Sequence, residues 1–181
     1  PMASEHEVIF SALSLRYKPK KILEIGTYDG SNALLLSHLF QDSIITTIDL
    51  PDDDNLFKDT YNRNDPNFLS KFISYRNTNL NKSQNIKFQQ FNSIELYKKK
   101  EEFDLIWIDG AHGYPYVTID IINSLRLINQ NGIIMCDDIW KTKPFTQDKI
   151  YTSVAAKETL DVLAENSFLN NYYFFKRLDK K

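Results

Sequence analysis

The chain has 181 residues, of which 42% are hydrophobic and 25% charged, ordinary values for one globular domain with a real core. A net charge of -2 supplies no basic field for nucleic acid, and no apolar run approaches the roughly 20 residues of a membrane span. The first residues lack the basic start and apolar stretch of a secretory leader, and the lone cysteine, Cys136, permits no intramolecular disulfide, so a reducing cytoplasm is expected.

Glu5 to Tyr17 carries apolar residues at helical spacing, and Pro19 closes that helix. Lys21 to Ile25 reads as a first buried strand, Ser31 to Phe40 as a helix, and the β-branched run Ser43 to Leu50 as a second strand. Ile86 to Phe91, Phe103 to Ile108 and Gly132 to Cys136 read as three further strands. Tyr116 to Ile128 is a predicted helix, with Asn131-Gly132 as its stop signal. A last helix, Thr152 to Glu165, precedes a strand-like Tyr172 to Phe175. This alternation predicts a doubly wound, Rossmann-like α/β fold with a mostly parallel sheet. Cys136 is expected in the core rather than as a nucleophile.

Residues 51–85 are far longer than the usual connection between elements. They carry short helical patterns and read either as a surface insertion or as a cap over a ligand cleft. Asp52-Asp53-Asp54 reads as a solvated turn, because successive loop residues rarely converge on one ion. Lys98 to Glu102 reads as a solvated loop.

In open α/β sheets, ligands bind beyond the carboxyl ends of the strands. The first strand leads into Glu24-Ile25-Gly26-Thr27-Tyr28-Asp29-Gly30-Ser31. Gly26 permits a tight turn and Gly30 close packing at the helix start. Tyr28 stands where a dinucleotide fingerprint has its middle glycine, so a cofactor without a pyrophosphate fits better than NAD. Asp49 ends the second strand, where a carboxylate can accept both hydroxyl hydrogens of a ribose. Asn92 and Ser93 follow the third strand and can meet a purine edge.

Glu24 to Gly30 with Asp49 resembles the class I S-adenosylmethionine-dependent methyltransferases, over roughly Lys21 to Trp140. The resemblance implies one methyltransferase-like domain over residues 1–181, with 51–85 as its inserted cap-like segment. It places the methionine part of the cofactor at Gly26 and the backbone around Glu24, Tyr28, Gly30 and Ser31. It places the ribose on Asp49 and the adenine near Asn92 and Ser93, with Asp109 beside the cofactor.

In that fold the fourth and fifth strands are neighbours, about 4.8 Å apart. Asp109 and the pair Asp137-Asp138 would then emerge side by side, and three carboxylates so placed repel unless a cation intervenes. Mg²⁺ is the expected ion, with Mn²⁺ or Ca²⁺ able to replace it. His112, three residues after Asp109, is suited to take a hydroxyl proton. His6 and His38 are expected on helices away from this edge. Tyr114, Tyr116 and Trp140 are candidates for an acceptor wall.

Asp109-Gly-Ala-His112-Gly-Tyr followed by Asp137-Asp138 resembles a narrower group, the bacterial metal-dependent O-methyltransferases of the macrolide-sugar type. By that resemblance Asp109, Asp137 and Asp138 are metal ligands and His112 is the catalytic base. The implied reaction is methyl transfer from S-adenosylmethionine to a hydroxyl of a small molecule such as a sugar or polyol. Three alternatives stay open: a cofactor-binding protein without activity, a metal-independent methyltransferase, and an NAD-linked oxidoreductase. The pattern after the fifth strand is short for the fold. Either 141–150 holds an irregular strand, or the edge is trimmed and a second copy covers it, making a homo-oligomer.

Overall fold

The aliphatic runs of the five predicted strands pair into one sheet, as strands buried on both faces do. A computed structural model describes residues 6–141 and 153–174. The strands are β1 (Lys21–Ile25), β2 (Ile44–Asp49), β3 (Ile86–Gln90), β4 (Phe103–Ile108) and β5 (Ile128–Cys136). All neighbours run parallel, in the order β3-β2-β1-β4-β5. The chain first steps outward from β1 to β3, then returns to the other side of β1 for β4. That reversal opens a crevice at the carboxyl ends of β1 and β4.

Strand pleating divides the core into two layers. Ile22, Ile45, Leu105 and Trp107 face α1 (His6–Ser14) and α2 (Ser31–Leu39), packing on Phe10 and Leu36. Leu23, Ile25, Ile48, Ile106 and Ile108 face α5 (Tyr116–Leu127) and α6 (Ala155–Glu165), packing on Val117, Ile121 and Ala156. The doubly wound architecture is therefore present as the sequence pattern predicts.

The 51–85 segment does two things. α3 (Asn55–Asp59) starts at Asp54, whose side chain accepts from the amides of Leu56 and Phe57. α4 (Pro66–Leu80) starts at Asp65 in the same way, with Pro66 in its first turn. α4 is the crossover helix between β2 and β3 and packs against α2, longer than the short helices expected there. The aspartate run is divided between a helix cap at Asp54 and an ion pair. Asp52 receives Arg76 through two bonds of 2.7 and 3.0 Å, with the guanidinium buried over the Phe88 ring.

The junction of α5 and β5 differs from the expectation. The helix stops at Leu127 and β5 begins at once with Ile128. Asn131-Gly132 is no helix stop; it lies in an irregular stretch where Phe103 pairs with Ile128 but Leu105 with Ile133. A Cβ on Gly132 would lie 2.5 Å from the Ile128 side chain and 2.9 Å from the Asp104 carbonyl oxygen. Glycine thus serves close packing here. Residues 171–174 form no strand, and the expectation for 141–150 falls almost wholly outside the described residues. Among the described residues, no helix is long and apolar enough to cross a membrane.

Candidate active site

The turn after β1 is shaped by contact with the turn after β4. Gly26 has φ +100°, and a Cβ there would lie 2.2 Å from the carbonyl oxygen of Asp109. Only glycine lets the two turns pass so closely. Tyr28 follows with φ +49°, a left-handed conformation costly for an aromatic residue. Its amide donates to Asp49 Oδ2 at 3.0 Å, while the Leu50 amide donates to Asp49 Oδ1 at 2.8 Å. The acid at the end of β2 is thereby oriented by backbone, with one lone pair on each oxygen still available. Burial pushes the Asp49 carboxyl up, opposed by these amides and by the nearby Arg63 and Arg76 charges.

A cavity of about 380 Å³ opens over these turns, within the range of small-molecule sites. Gly26, Tyr28, Asp49, Asn92, Ser93 and Asp109 line it, as do His112 and Asp138. Three expected cofactor residues do not. Glu24 is buried beneath, with Asn32 and Thr47 donating to its carboxyl. Burial raises that carboxyl to about 8, so it is a largely neutral node tying β1 to β2 and α2. Gly30 backs onto Leu80 and the Arg76 carbonyl, and Ser31 meets Asn79, so both contact α4. Asn92 spends its side-chain oxygen on the Ile94 amide, capping the 3₁₀ turn Ser93–Lys98.

The acids after β4 and β5 do not gather as expected. His112 is buried, and its Nε2 lies 3.5 Å from Asp109 Oδ1 and 4.0 Å from Asp138 Oδ2. Burial alone would lower the imidazole, but the hydrogen bond to Asp109 and the charges of Asp109, Asp138 and Asp137 outweigh it and hold it above an ordinary histidine. Asp137 is absent from the cavity wall; its Oδ2 lies 3.6 Å from His6 Nδ1. The reason is the pleat. Ile133 and Met135 pack in the α1/α2 layer and Ile134 and Cys136 in the α5/α6 layer, so Asp137 and Asp138 continue to opposite sides. Asp138 then turns through φ +47°.

His6, expected away from this edge, packs tilted against Trp107 with ring centroids 5.3 Å apart and meets Asp137 there. Among the described residues, no group of three or more His, Cys, Asp or Glu side chains is placed to hold a metal ion. The donors as placed do not form the expected three-acid centre. Cys136 is partly buried in the core layer, and burial pushes its thiol up, away from reactivity.

Several wall residues escaped the sequence reading. Leu56, Phe57, Thr60, Tyr61 and Arg63 from 51–85 line the cavity, with the Arg63 guanidinium 3.8 Å over the Phe57 ring. Within those 35 positions nothing in the pattern separates them from ordinary helix-packing residues. Tyr116 lines the cavity too, whereas Tyr114 and Trp140 do not. Asp120 is buried in α5 at 2% exposure and lines the cavity beside Ser93. Its signal was present: an acid among Val117, Ile121 and Ser124, the buried stripe of its helix.

With this arrangement in view, comparison with known families is decisive. A family model described as a methyltransferase domain matches residues 23–139. The chain belongs to the methyltransferase-domain family. The match contains β2 to β5 and most of β1, together with Gly26, Asp49, His112 and both aspartates after β5. No curated protein matches the sequence.

Solved methyltransferases share the domain's fold at low identity. SAH-bound PaMTH1 from Podospora anserina has 24% identity and a TM-score of 0.60, covering 92% of this chain and 70% of that one. The O-methyltransferase TomG of Streptomyces achromogenes, in complex with SAM, has 16% identity and a TM-score of 0.61, covering 92% and 68%. A Staphylococcus aureus protein assigned as a caffeoyl-CoA O-methyltransferase has 18% identity and a TM-score of 0.57, covering 77% of this chain. The domain spans 59% of that protein's length.

Proposed function

We propose that this domain transfers a methyl group from S-adenosylmethionine to a hydroxyl of a small molecule, sugar-like or polyol-like, with His112 as the base. The observation that carries the reading is one cavity that holds an amide-fixed carboxylate, Asp49, and a buried imidazole flanked by two carboxylates. β2 and β4 lie two strand spacings apart in the sheet, about 10 Å. A nucleoside anchored at Asp49 and an acceptor hydroxyl at His112 therefore fit one cavity. When bound, the cofactor supplies an electrophilic sulfonium methyl.

Each protein group then has a task. Asp49 accepts from the ribose hydroxyls through its remaining lone pairs. His112 takes the hydroxyl proton, and Asp109 and Asp138 stabilise the imidazolium formed. Burial around His112 excludes water from that proton. Much of the acceleration comes from holding oxygen and methyl at contact distance. Asp109 and Asp138 are the two acids the cavity offers a divalent cation, and the chelation experiment below measures whether one takes part.

The test is a methyl-labelled S-adenosylmethionine assay against a panel of sugars, polyols and phenols, run before and after exhaustive chelation. Calorimetry with S-adenosylhomocysteine accompanies it. Tight binding and label on an acceptor oxygen are expected. Binding of NAD with no binding of S-adenosylhomocysteine overturns the reading. Binding without any product would leave a cofactor-binding protein. Light scattering on the same sample tests the homo-oligomer through the β5 edge, which belongs to the same proposal.

A further inference from the structure

Behind His112 lies a set of buried polar atoms without partners. The imidazole is buried, and its Nε2 faces the acids of the cavity, 3.5 Å from Asp109 Oδ1 and 4.0 Å from Asp138 Oδ2. The two nitrogens of an imidazole point in widely divergent directions, so Nδ1 is turned into the protein. It is buried there with no hydrogen-bond partner among the described residues. Asp120 is 2% exposed, and its Oδ1 is likewise buried and unpartnered. Ser124 is fully buried one helical turn after Asp120, on the same face of α5, and its hydroxyl has no partner among the described residues either. Unpaired buried polar atoms are costly, and native structures satisfy nearly all of them, with ordered solvent where protein groups do not reach.

α5 brings these groups back to the turn that carries His112. A Cβ built on Gly110 would lie 3.7 Å from Asp120 Oδ2, so the carboxyl rests against the 109–112 turn. A base makes a demand on this inner side. A neutral imidazole carries one proton, on one of its two nitrogens. Two carboxylates beside Nε2 draw that proton outward, where it leaves no lone pair for an acceptor hydroxyl. A working base needs the proton on Nδ1, and which nitrogen holds it is set by the hydrogen bonds of the other. An Nδ1–H donor, a carboxylate acceptor and a hydroxyl that can do either match the roughly three bonds of an ordered buried water.

We propose that Asp120 is a positioning residue for His112: one ordered water, held also by Ser124, accepts from His112 Nδ1–H and donates to Asp120 Oδ1, which keeps the Nε2 lone pair on the cavity side. This rests on the reading of His112 as the base and adds the group that selects its working nitrogen. Burial raises the Asp120 carboxyl to about 6, opposed by Ser93 and His112, so it is ionised at pH 8.

The experiment joins nitrogen-15 NMR of the histidine rings to kinetics, on the full chain and on Asp120→Asn, which keeps the side chain's size and removes its charge. His112→Ala identifies the His112 signals among the three histidines. In the unmodified protein, with chelator and S-adenosylhomocysteine present, the neutral His112 ring should carry its proton on Nδ1. In Asp120→Asn the proton should move to Nε2. Turnover of Asp120→Asn at pH 8 should fall at least about tenfold, the effect of one hydrogen bond to a charged group. Its affinity for S-adenosylhomocysteine, by calorimetry, should change less than about threefold. A neutral ring protonated on Nε2 in the unmodified protein overturns the proposal, and so does a turnover loss under about tenfold. Affinity that falls as far as turnover overturns it too, since Asp120 would then serve ligand binding. If Asp120→Asn does not fold, the ring of the unmodified protein decides alone. Unchanged turnover in His112→Ala defeats the base reading and this inference with it. A crippled His112→Ala beside an unimpaired Asp120→Asn defeats this inference alone.

Discussion

The carboxyl end of β2 and that of β5 both finish in acid, and the protein treats them differently. Asp49 is a single aspartate whose two oxygens are each held by a backbone amide, at 3.0 and 2.8 Å. Asp137 and Asp138 are consecutive, and they part: one to His6 at 3.6 Å, the other to within 4.0 Å of His112. A lone acid after a strand takes its orientation from the turns around it. Two acids in a row inherit the pleat, which sends them to opposite sheet faces. Doubling the acid in the sequence therefore does not double the charge in the site.

The largest effect expected on this contrast comes from the group that only the β4–β5 side possesses. His112→Ala should lower turnover about 10²- to 10⁴-fold, the usual range for a lost general base. S-adenosylhomocysteine affinity, measured by calorimetry, should change far less. Unchanged turnover would remove His112 from the chemistry and leave the acids of that side without a catalytic role. On the β2 side the expected loss is in binding. Asp49→Ala forfeits hydrogen bonds from two hydroxyls to a charged acceptor, about 1.5–3 kcal/mol each. S-adenosylhomocysteine affinity should drop at least about a hundredfold. If both variants lose affinity equally, the two sides are not the separate binding and chemical halves described here.

What the sequence revealed follows the same division. Short apolar and β-branched runs located all five strands, because strands buried on both faces of a parallel sheet read as continuous apolar segments. Asp49 and the Gly26 turn were legible because each stands at the carboxyl end of a recognisable strand, although distant partners, Tyr28 and Asp109, set their geometry. Glu24 was not: a motif position cannot say whether a side chain points into a cavity or beneath it, and here Asn32 and Thr47 claim it from below. Gly30 and Ser31 likewise meet α4, fifty residues away in the chain. The pairing of His6 with Asp137 joins the first helix to the last strand of the sheet, a contact that only the assembled fold makes. The alternation of successive side chains across a strand, carried past Cys136, would have separated Asp137 from Asp138 in advance.

A third prediction concerns stability on the β1–β2 side. The Glu24 carboxyl stands at about 8 when folded, against a reference of 4.5. Between those values the folded state binds a proton that the unfolded state has released. Glu24's contribution to stability is therefore fully present below pH 4.5, declines as pH rises, and is lost above about pH 8. The unfolding free energy, measured by denaturant titration from pH 5 to 9, should fall through this window by an amount on the order of a few kcal/mol. Glu24→Gln mimics the neutral carboxyl and should flatten that dependence. A slope identical in the variant would show that the carboxyl is already ionised in the folded protein.

The smallest effect separates the two consecutive aspartates, and it is the sharpest test of the comparison. Asp138→Asn removes a charge facing the His112 imidazole while keeping a residue that tolerates a left-handed backbone. Losing one charge-assisted contact of about 1.5 kcal/mol should lower turnover about tenfold. Asp137→Asn removes a charge that reaches His112 only at longer range, past the β5 backbone, so turnover should change less than about threefold. Its consequence should show instead in thermal stability, through the contact with His6. Equal, severe losses in both variants, with turnover abolished by a chelator, would mean that a cation draws Asp137 away from His6 to join Asp109 and Asp138. The pleat would then describe a resting arrangement that the metal reverses. Unequal losses that persist in chelated enzyme would assign the proton transfer to His112 and its two flanking carboxylates.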